Sequence, residues 1–307
     1  MKRIQWIFIL LILLVVVPTY SLFAEDGKKS PPLPLHGIEG YGGIAITYCA
    51  YLTNPGENDS VFGLPSVGGG LLVTPEGRSF MFTTFTETLF SRLELGFGFN
   101  QFDLHDLPKD IQAATSVDIE DELVQMYNLN ARFAVLKEGD FDQSWLPALT
   151  FGYHYKTNDD LDDIDTRLGG ALTAAGIEDD SGYDLTLYAS KMLTPFPRPV
   201  LLNVGARSTE AAHIGLLGFT GDRDLVFEGN VVVFATDRLA LGAEYRQKPN
   251  AYRSIPGLVE PEDDWWSVVA AYIVNDHFTI SGGIFNLGEV LNHYDDGAVA
   301  LDIKYEF

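Results

Sequence analysis

The sequence predicts an all-β fold: a transmembrane, antiparallel, up-and-down β-barrel of about twelve strands. Three observations predict it. From Gly43 to Phe307 apolar and polar residues alternate with period two, and no helical period persists over a dozen residues. The alternating segments are about eleven residues long, the length a tilted strand needs to cross a bilayer and about twice that of an ordinary strand. The connections between them alternate between long and short, as in barrels that put short turns on one side of the membrane and long loops on the other.

The elements follow in order. "MKR" gives two positive charges, "IQWIFILLILLVVV" an apolar run, and "PTYSLFA" a turn ending in the small Ala24. This three-part plan predicts a signal peptide over residues 1–24, the alternative being an uncleaved membrane anchor. Removal of Lys2 and Arg3 takes the net charge from −23 to −25. Such acidity argues against a nucleic-acid partner, whose phosphates would be repelled. The single cysteine, Cys49, rules out an internal disulfide, and no cysteine lies where a lipoprotein would need one. The proline-rich stretch 25–42 reads as an extended periplasmic tether, and residues 43–307 as the barrel.

Twelve strands are expected at 43–53, 77–89, 93–102, 122–136, 145–157, 182–193, 199–209, 223–235, 239–248, 263–274, 278–287 and 297–307. "SVGGGLLV" (66–73) could be a further strand but reads as part of a long first loop, 54–76. Long loops are also expected at 103–121, 158–181, 210–222, 249–262 and 288–296, and short turns at 90–92, 137–144, 194–198, 236–238 and 275–277. An even strand count puts both termini on the periplasmic side and the long loops outside the cell.

Each strand divides into two faces. Leu93, Leu95, Phe97 and Phe99 oppose Glu94, Gly96, Gly98 and Asn100; Leu129, Ala131 and Phe133 oppose Asn128, Asn130 and Arg132; Leu149, Phe151, Tyr153 and Tyr155 oppose Thr150, Gly152, His154 and Lys156. Lipid demands the apolar face outside, since a charge near the midplane costs about 2–4 kcal/mol. The sheet must close, because no open edge survives in hydrocarbon. The aromatic residues Tyr153, Tyr155, Trp265 and Trp266 suit interfacial girdles.

The inward charges nearly cancel: Glu94, Asp184, Glu228, Glu244, Asp302 and Glu306 against Arg132, Lys156, Arg207, Arg246, Lys248 and Lys304. The net negative charge therefore sits in the long loops, densest in "NDDLDDIDTR" and "IEDDSG". These lack the glycine and late glutamate of an EF-hand, and no metal or cofactor is expected. The candidate lumen or constriction residues are Glu94, Arg132, His154, Lys156, Asp184, Arg207, Glu228, Glu244, Arg246 and Lys248. They form either a charged constriction or a salt-bridge ladder that fills the lumen. His154 is the one histidine within a strand, with Ser190 the nearest serine weighed as a nucleophile; no HExxH or His-x-His spacing occurs. "GFGFN" (96–100) is glycine on an inward face, not a nucleotide loop.

The stretches "TLFSRLELG", "QSWLPALTFGYHYK", "LGFTGDRDLVFEG", "LALGAEYRQKPN" and "DDWWSVVAAYIVNDHFTISGGIFNLG" resemble a family of Gram-negative outer-membrane proteins that is a domain of unknown function within the transmembrane β-barrel, porin-like group. The resemblance spans roughly Gly43 to Phe307. It implies a barrel and an outer-membrane location, and supplies no activity or catalytic residue.

The functional expectation is a narrow porin-like channel for small polar solutes, not an enzyme. The alternative is a closed barrel serving envelope structure or exopolysaccharide export; a lipid-modifying enzyme is the third reading. The expected partners are outer-membrane lipid, lipopolysaccharide and the barrel-assembly machinery. The last strand presents Leu301, Ile303, Tyr305 and Phe307 on one face, and resembles the C-terminal signal that this machinery reads. Deleting Phe307 is expected to impair insertion, scored as loss of the heat-modifiable band on gels; normal assembly of the truncated chain would remove the signal reading.

Overall fold

A computed structural model of the chain describes residues 33–56, 60–119, 123–194, 196–291 and 293–307. The expected signal peptide (1–24) and residues 25–32 of the expected tether lie outside the described residues. The rest forms one closed, twelve-stranded antiparallel barrel with a folded N-terminal segment inside it.

The barrel strands are β1 (Ser66–Val73), β2 (Ser79–Leu89), β3 (Leu93–Asp103), β4 (Leu123–Leu136), β5 (Ala148–Asn158), β6 (Ser181–Leu193), β7 (Val200–Thr209), β8 (Asp224–Phe234), β9 (Leu239–Arg246), β10 (Trp265–Ile273), β11 (Phe278–Val290) and β12 (His293–Glu306). Each pairs with its sequence neighbours, and β12 closes on β1 through a ladder from Val299↔Val73 to Glu306↔Ser66. Closure leaves no row of unpaired N–H and C=O groups facing lipid.

Eleven of the expected strands are present, and the first is replaced. Residues 43–53 are not a barrel strand; the glycine-bearing segment 66–73 is. The glycines that made it look like a loop are required by what lies inside. A Cβ on Gly68 would fall 3.0 Å from the His36 ring and one on Gly70 2.7 Å from the Phe82 ring. The run 43–53 instead passes through bends inside the barrel, and nearly all of it is buried. Residues 33–42, expected as a tether, are likewise inside the barrel, and almost all are buried.

Two loop expectations change with this. Residues 60–65 run along the short-turn rim, where Gly63 donates to the Thr88 carbonyl and Phe90 to that of Val61. The chain between β11 and β12 is a tight turn instead of the long loop 288–296. The β11–β12 ladder shifts register at Asn286, and Gly288 takes φ +61°, so the ladder continues past the bulge to Val290↔His293.

The connections after β3, β5, β7 and β9 are the long ones. They carry the helices α1 (Leu107–Thr115), α2 (Leu161–Arg167) and α3 (Ala171–Ala174). With Ile255, Leu258 and Val259 these make a cap over the long-loop rim, around the buried Leu107, Ile119, Ile164 and Ile177. The acids of the 159–180 loop do structural work there. Asp160 accepts from the Gln125 N–H (2.6 Å), and Asp165 from that of Leu172 (2.6 Å). The β7–β8 connection folds inward, burying Ala211, Ala212, Ile214 and Phe219.

The outer wall is apolar, with Leu129, Phe133, Val204, Phe227 and Val268 all exposed, as a lipid-facing band must be. Leu301, Ile303, Tyr305 and Phe307 form one outward row on the closing strand. An arginine at Leu129, in the middle of β4, is expected to cost about 2–4 kcal/mol, but at Leu123, at the strand's end, only about 0–1 kcal/mol. Urea unfolding of vesicle-refolded protein measures the difference; equal costs would contradict the membrane face.

Candidate functional site: the occupied lumen

The lumen is filled by residues 33–53, here called the plug. It enters and leaves at the short-turn rim. At entry, Lys304 of β12 donates to the Pro34 carbonyl (2.5 Å) and pairs with Glu306 (2.5 Å). At exit, Thr88 of β2 donates its hydroxyl to the Thr53 carbonyl. Between these points the plug folds on itself, with Leu35–His36 paired to Gly42–Gly43 and Ile38 donating to the Ala45 carbonyl.

Its backbone lies directly on β3. A Cβ on Gly96 would sit 2.2 Å from the Gly40 oxygen, and one on Gly98 2.7 Å from that of Glu39. No real side chain fits at those distances, so the inward glycines of "GFGFN" are the bed of the plug. Gly40 itself has φ +87°, a conformation glycine adopts without strain.

Glu39 is the centre of the contact. Its carboxylate is fully buried and meets three cations: Lys156, Arg207 (3.1 Å) and Arg246 (3.0 Å). Arg207 also reaches Asp184 (2.5 Å), Glu228 (2.6 Å) and the Tyr41 hydroxyl (3.0 Å). Lys156 reaches Asp184 (2.6 Å). Three carboxylates thus face three cations without solvent. Such a cluster persists only when every member is paired, and removing one partner from a buried pair costs about 3–5 kcal/mol.

The other expected lumen residues bind the plug as well. The Glu94 carboxylate accepts from the N–H groups of Gly42 (3.2 Å) and Thr53 (2.6 Å) and pairs with Arg132 (3.2 Å). Arg132 donates to the carbonyls of Gly42 (2.8 Å) and Cys49 (2.6 Å). Glu244 sits in a nest of successive plug N–H groups, from Ala45, Ile46 (3.1 Å) and Thr47 (2.8 Å), and accepts from Ser267 (2.7 Å). His154 has one ring nitrogen against Asn130 (2.9 Å) and the other against Thr186 (2.8 Å), and it stacks on Tyr41 at 4.1 Å. Ser190 is not its partner: the hydroxyl meets Asn203 and accepts from the Ala50 N–H (2.6 Å).

Lys248 differs from the other nine. It lies beyond β9 and pairs with Glu262 of the cap (2.6 Å), which also holds His213 (2.7 Å). Burial keeps the His213 imidazole below its ordinary pKa; Glu262 opposes this and Lys248 reinforces it. His213 is therefore neutral at neutral pH.

All ten expected residues are buried, yet they do not ring an open constriction. Their polar groups are engaged by the plug, by each other, by the cap or, for His154, by Asn130 and Thr186 of the wall. The residues missed were their plug partners, Glu39, Tyr41 and Thr47 among them. One signal was available. Glu39 stands alone in "HGIEGYGGIAI", a charge among glycines and apolar residues, and such a charge needs a cation once buried.

The one cysteine lies in the plug and is buried, which makes the seating measurable. Cys49 is expected to resist a maleimide-polyethylene glycol in the folded wild type. It should react far faster in Glu39→Gln, which leaves the cations in excess by one, and in Gly98→Val, which obstructs the bed. Full protection in both variants would mean that these contacts do not hold the plug.

No curated protein sequence matches the chain significantly. Among solved structures it is similar to the KdgM porin (8% identity, TM-score 0.47, 79% of this chain and 99% of that one). It is also similar to the outer membrane protein Omp33 of Acinetobacter baumannii (8%, 0.42, 81% and 100%) and to LpxR from Salmonella typhimurium (11%, 0.45, 79% and 100%). Likeness at this level says nothing about activity. The family model described as "Protein of unknown function (DUF3034)" matches residues 35–304, from the plug through the closing strand, and the chain belongs to that family.

Proposed function

We propose that the protein is a plugged transport barrel of a Gram-negative outer membrane, closed at rest and opened when the plug leaves the lumen. Its short turns face the periplasm and its cap faces outward. The observation that carries this reading is the way the plug is held. On the β3–β9 side it is bound by ion pairs and hydrogen bonds, which water can replace when the segment withdraws. A plug fixed by apolar packing alone would expose hydrocarbon on leaving, at about 25 cal/mol per Å². Topology supports the same reading. Both ends of the plug are at one rim, so it can withdraw as a loop without threading the barrel.

This differs from a narrow porin-like channel whose lumen charges select small polar solutes. The balanced charges that motivated that expectation are occupied by plug contacts, so they define no free selectivity ring. For a lipid-modifying enzyme, His154 would need an activated nucleophile at the wall. Its two ring nitrogens are instead engaged by Asn130 and Thr186, and nothing else in its setting favours that reading.

Planar-bilayer recording tests the proposal. Wild type is expected to give rare conductance steps. Glu39→Gln, which leaves the three cations one carboxylate short and costs about 3 kcal/mol of plug seating, should raise the open fraction on the order of 100-fold. If the variant stays silent while its Cys49 labels freely, the barrel does not conduct. The reading of a closed envelope component then replaces this one.

A further inference from the structure

The plug does not fill the lumen evenly. Its ion pairs and hydrogen bonds are densest against β3–β9, whereas apolar voids border it in two other places: under the cap against β10–β12, β1 and the first half of β2, and against the short-turn halves of β6–β10. Strand β10, "WWSVVAAYI", borders both: Trp266 and Val268 face outward, and Trp265, Val269 and Ala271 face inward around Ser267.

Three cavities lie in series. One of about 110 Å³ is inside the cap, between α1, α2 and the 255–259 turn. A second, of about 70 Å³, lies beneath the cap against Phe80, Phe102, Trp265 and Phe285. A third, of about 260 Å³, lies toward the short-turn rim against Met192, Leu201, Val232 and Phe234. Neighbouring cavities share walls. Leu217 lines both the first and the second; Ile44 of the plug and Val269 of β10 line both the second and the third. Their linings are almost wholly apolar. An apolar cavity of about 150 Å³ holds a benzene-sized molecule without water, so the third has room for one as it stands, whereas the other two admit one only when a bottleneck side chain moves.

We propose that these cavities are one interrupted apolar path past the plug, and that its ligand is a small, neutral, hydrocarbon-like molecule. Leu217 is the outer bottleneck, and the Ile44–Val269 contact is the inner one. Among the described residues no lysine or arginine lines any of the three cavities, and the two histidines at the middle one, His36 and His213, are bonded to Thr84, Thr86 and Glu262, so no fixed cation there meets a carboxylate or phosphate head group. A cation would meet only the Asp302 carboxyl and would otherwise lose its hydration in an almost wholly apolar lining. The ligand is therefore uncharged. This deepens the plugged-barrel reading by naming a substrate class, and it makes passage a matter of moving two bottleneck side chains. Occupancy itself does not require the plug to leave.

The test uses the full chain in lipid nanodiscs. Trp6, Trp145 and Trp266 are replaced by phenylalanine, so that Trp265 is the sole tryptophan. It is 5% exposed and faces the middle cavity. 1-Bromohexane, a neutral heavy-atom quencher, is titrated in, with 6-bromohexanoate as the charged comparator. Bromohexane is expected to quench Trp265 saturably, and bromohexanoate not to. Val269→Phe, which fills both inner cavities, should raise the half-saturating concentration about tenfold. Leu301→Phe, on the lipid face, should leave it unchanged. Cys49 protection in every variant certifies that the barrel is folded and plugged. Linear quenching that ignores Val269→Phe, or equal quenching by bromohexanoate, would overturn the proposal. Either result can occur whether or not plug release gives conductance, so the two readings fail separately.

Discussion

Glu39 and the cations around it are the contact on which the interior depends. Burying a charge is costly unless it is paired and hydrogen-bonded. Lys156, Arg207 and Arg246 project from three different strands, β5, β7 and β9, with two wall carboxylates, Asp184 and Glu228, among them. The wall alone is one negative charge short. The plug supplies that charge, and Glu39 reaches its place because β3 presents glycine at 96 and 98, where the plug backbone must pass.

Once the plug is seated there, the other polar interactions follow. Glu94 and Glu244 take plug N–H groups, Arg132 takes plug carbonyls, and the Tyr41 ring stacks on His154. Where the plug meets apolar wall, shape matching is looser. A polar contact requires atoms at hydrogen-bond distance, whereas an apolar one tolerates a void at a cost that grows with its volume. The same segment is therefore pinned at its polar contacts and bordered by cavities along its apolar ones. This asymmetry separates holding the plug from accommodating a ligand.

The closing strand ties the barrel to its contents. Lys304, on the inward face of β12, bonds the plug at Pro34, while Leu301, Ile303 and Tyr305 face outward from the same strand. The pleat places lipid contact and plug contact one residue apart. The β12–β1 seam therefore both completes the sheet and fixes where the plug enters.

Much of this was legible in the chain itself. Period two assigned Leu129, Phe133 and Leu301 to the outside and Asn130, Arg132 and Lys304 to the inside, because lipid and lumen impose opposite polarity on alternate residues. Strand length and loop rhythm placed eleven of the twelve strands. The inward charges were read as lumen residues on the same ground, since an inward charge has nowhere else to be. Period two reports which face a residue takes, however, and not which neighbour it meets. Residues 43–53 were read as a strand and "SVGGGLLV" as part of a loop, yet only the latter pairs with β12. That choice depends on contacts between segments more than 200 residues apart, and on glycines whose value appears only beside His36 and Phe82. Tertiary structure alone decided that the lumen is occupied, that Glu39 is the counter-charge, and that apolar voids remain beside the plug. Each of these depends on how a closed sheet distributes its interior space, which no local pattern encodes.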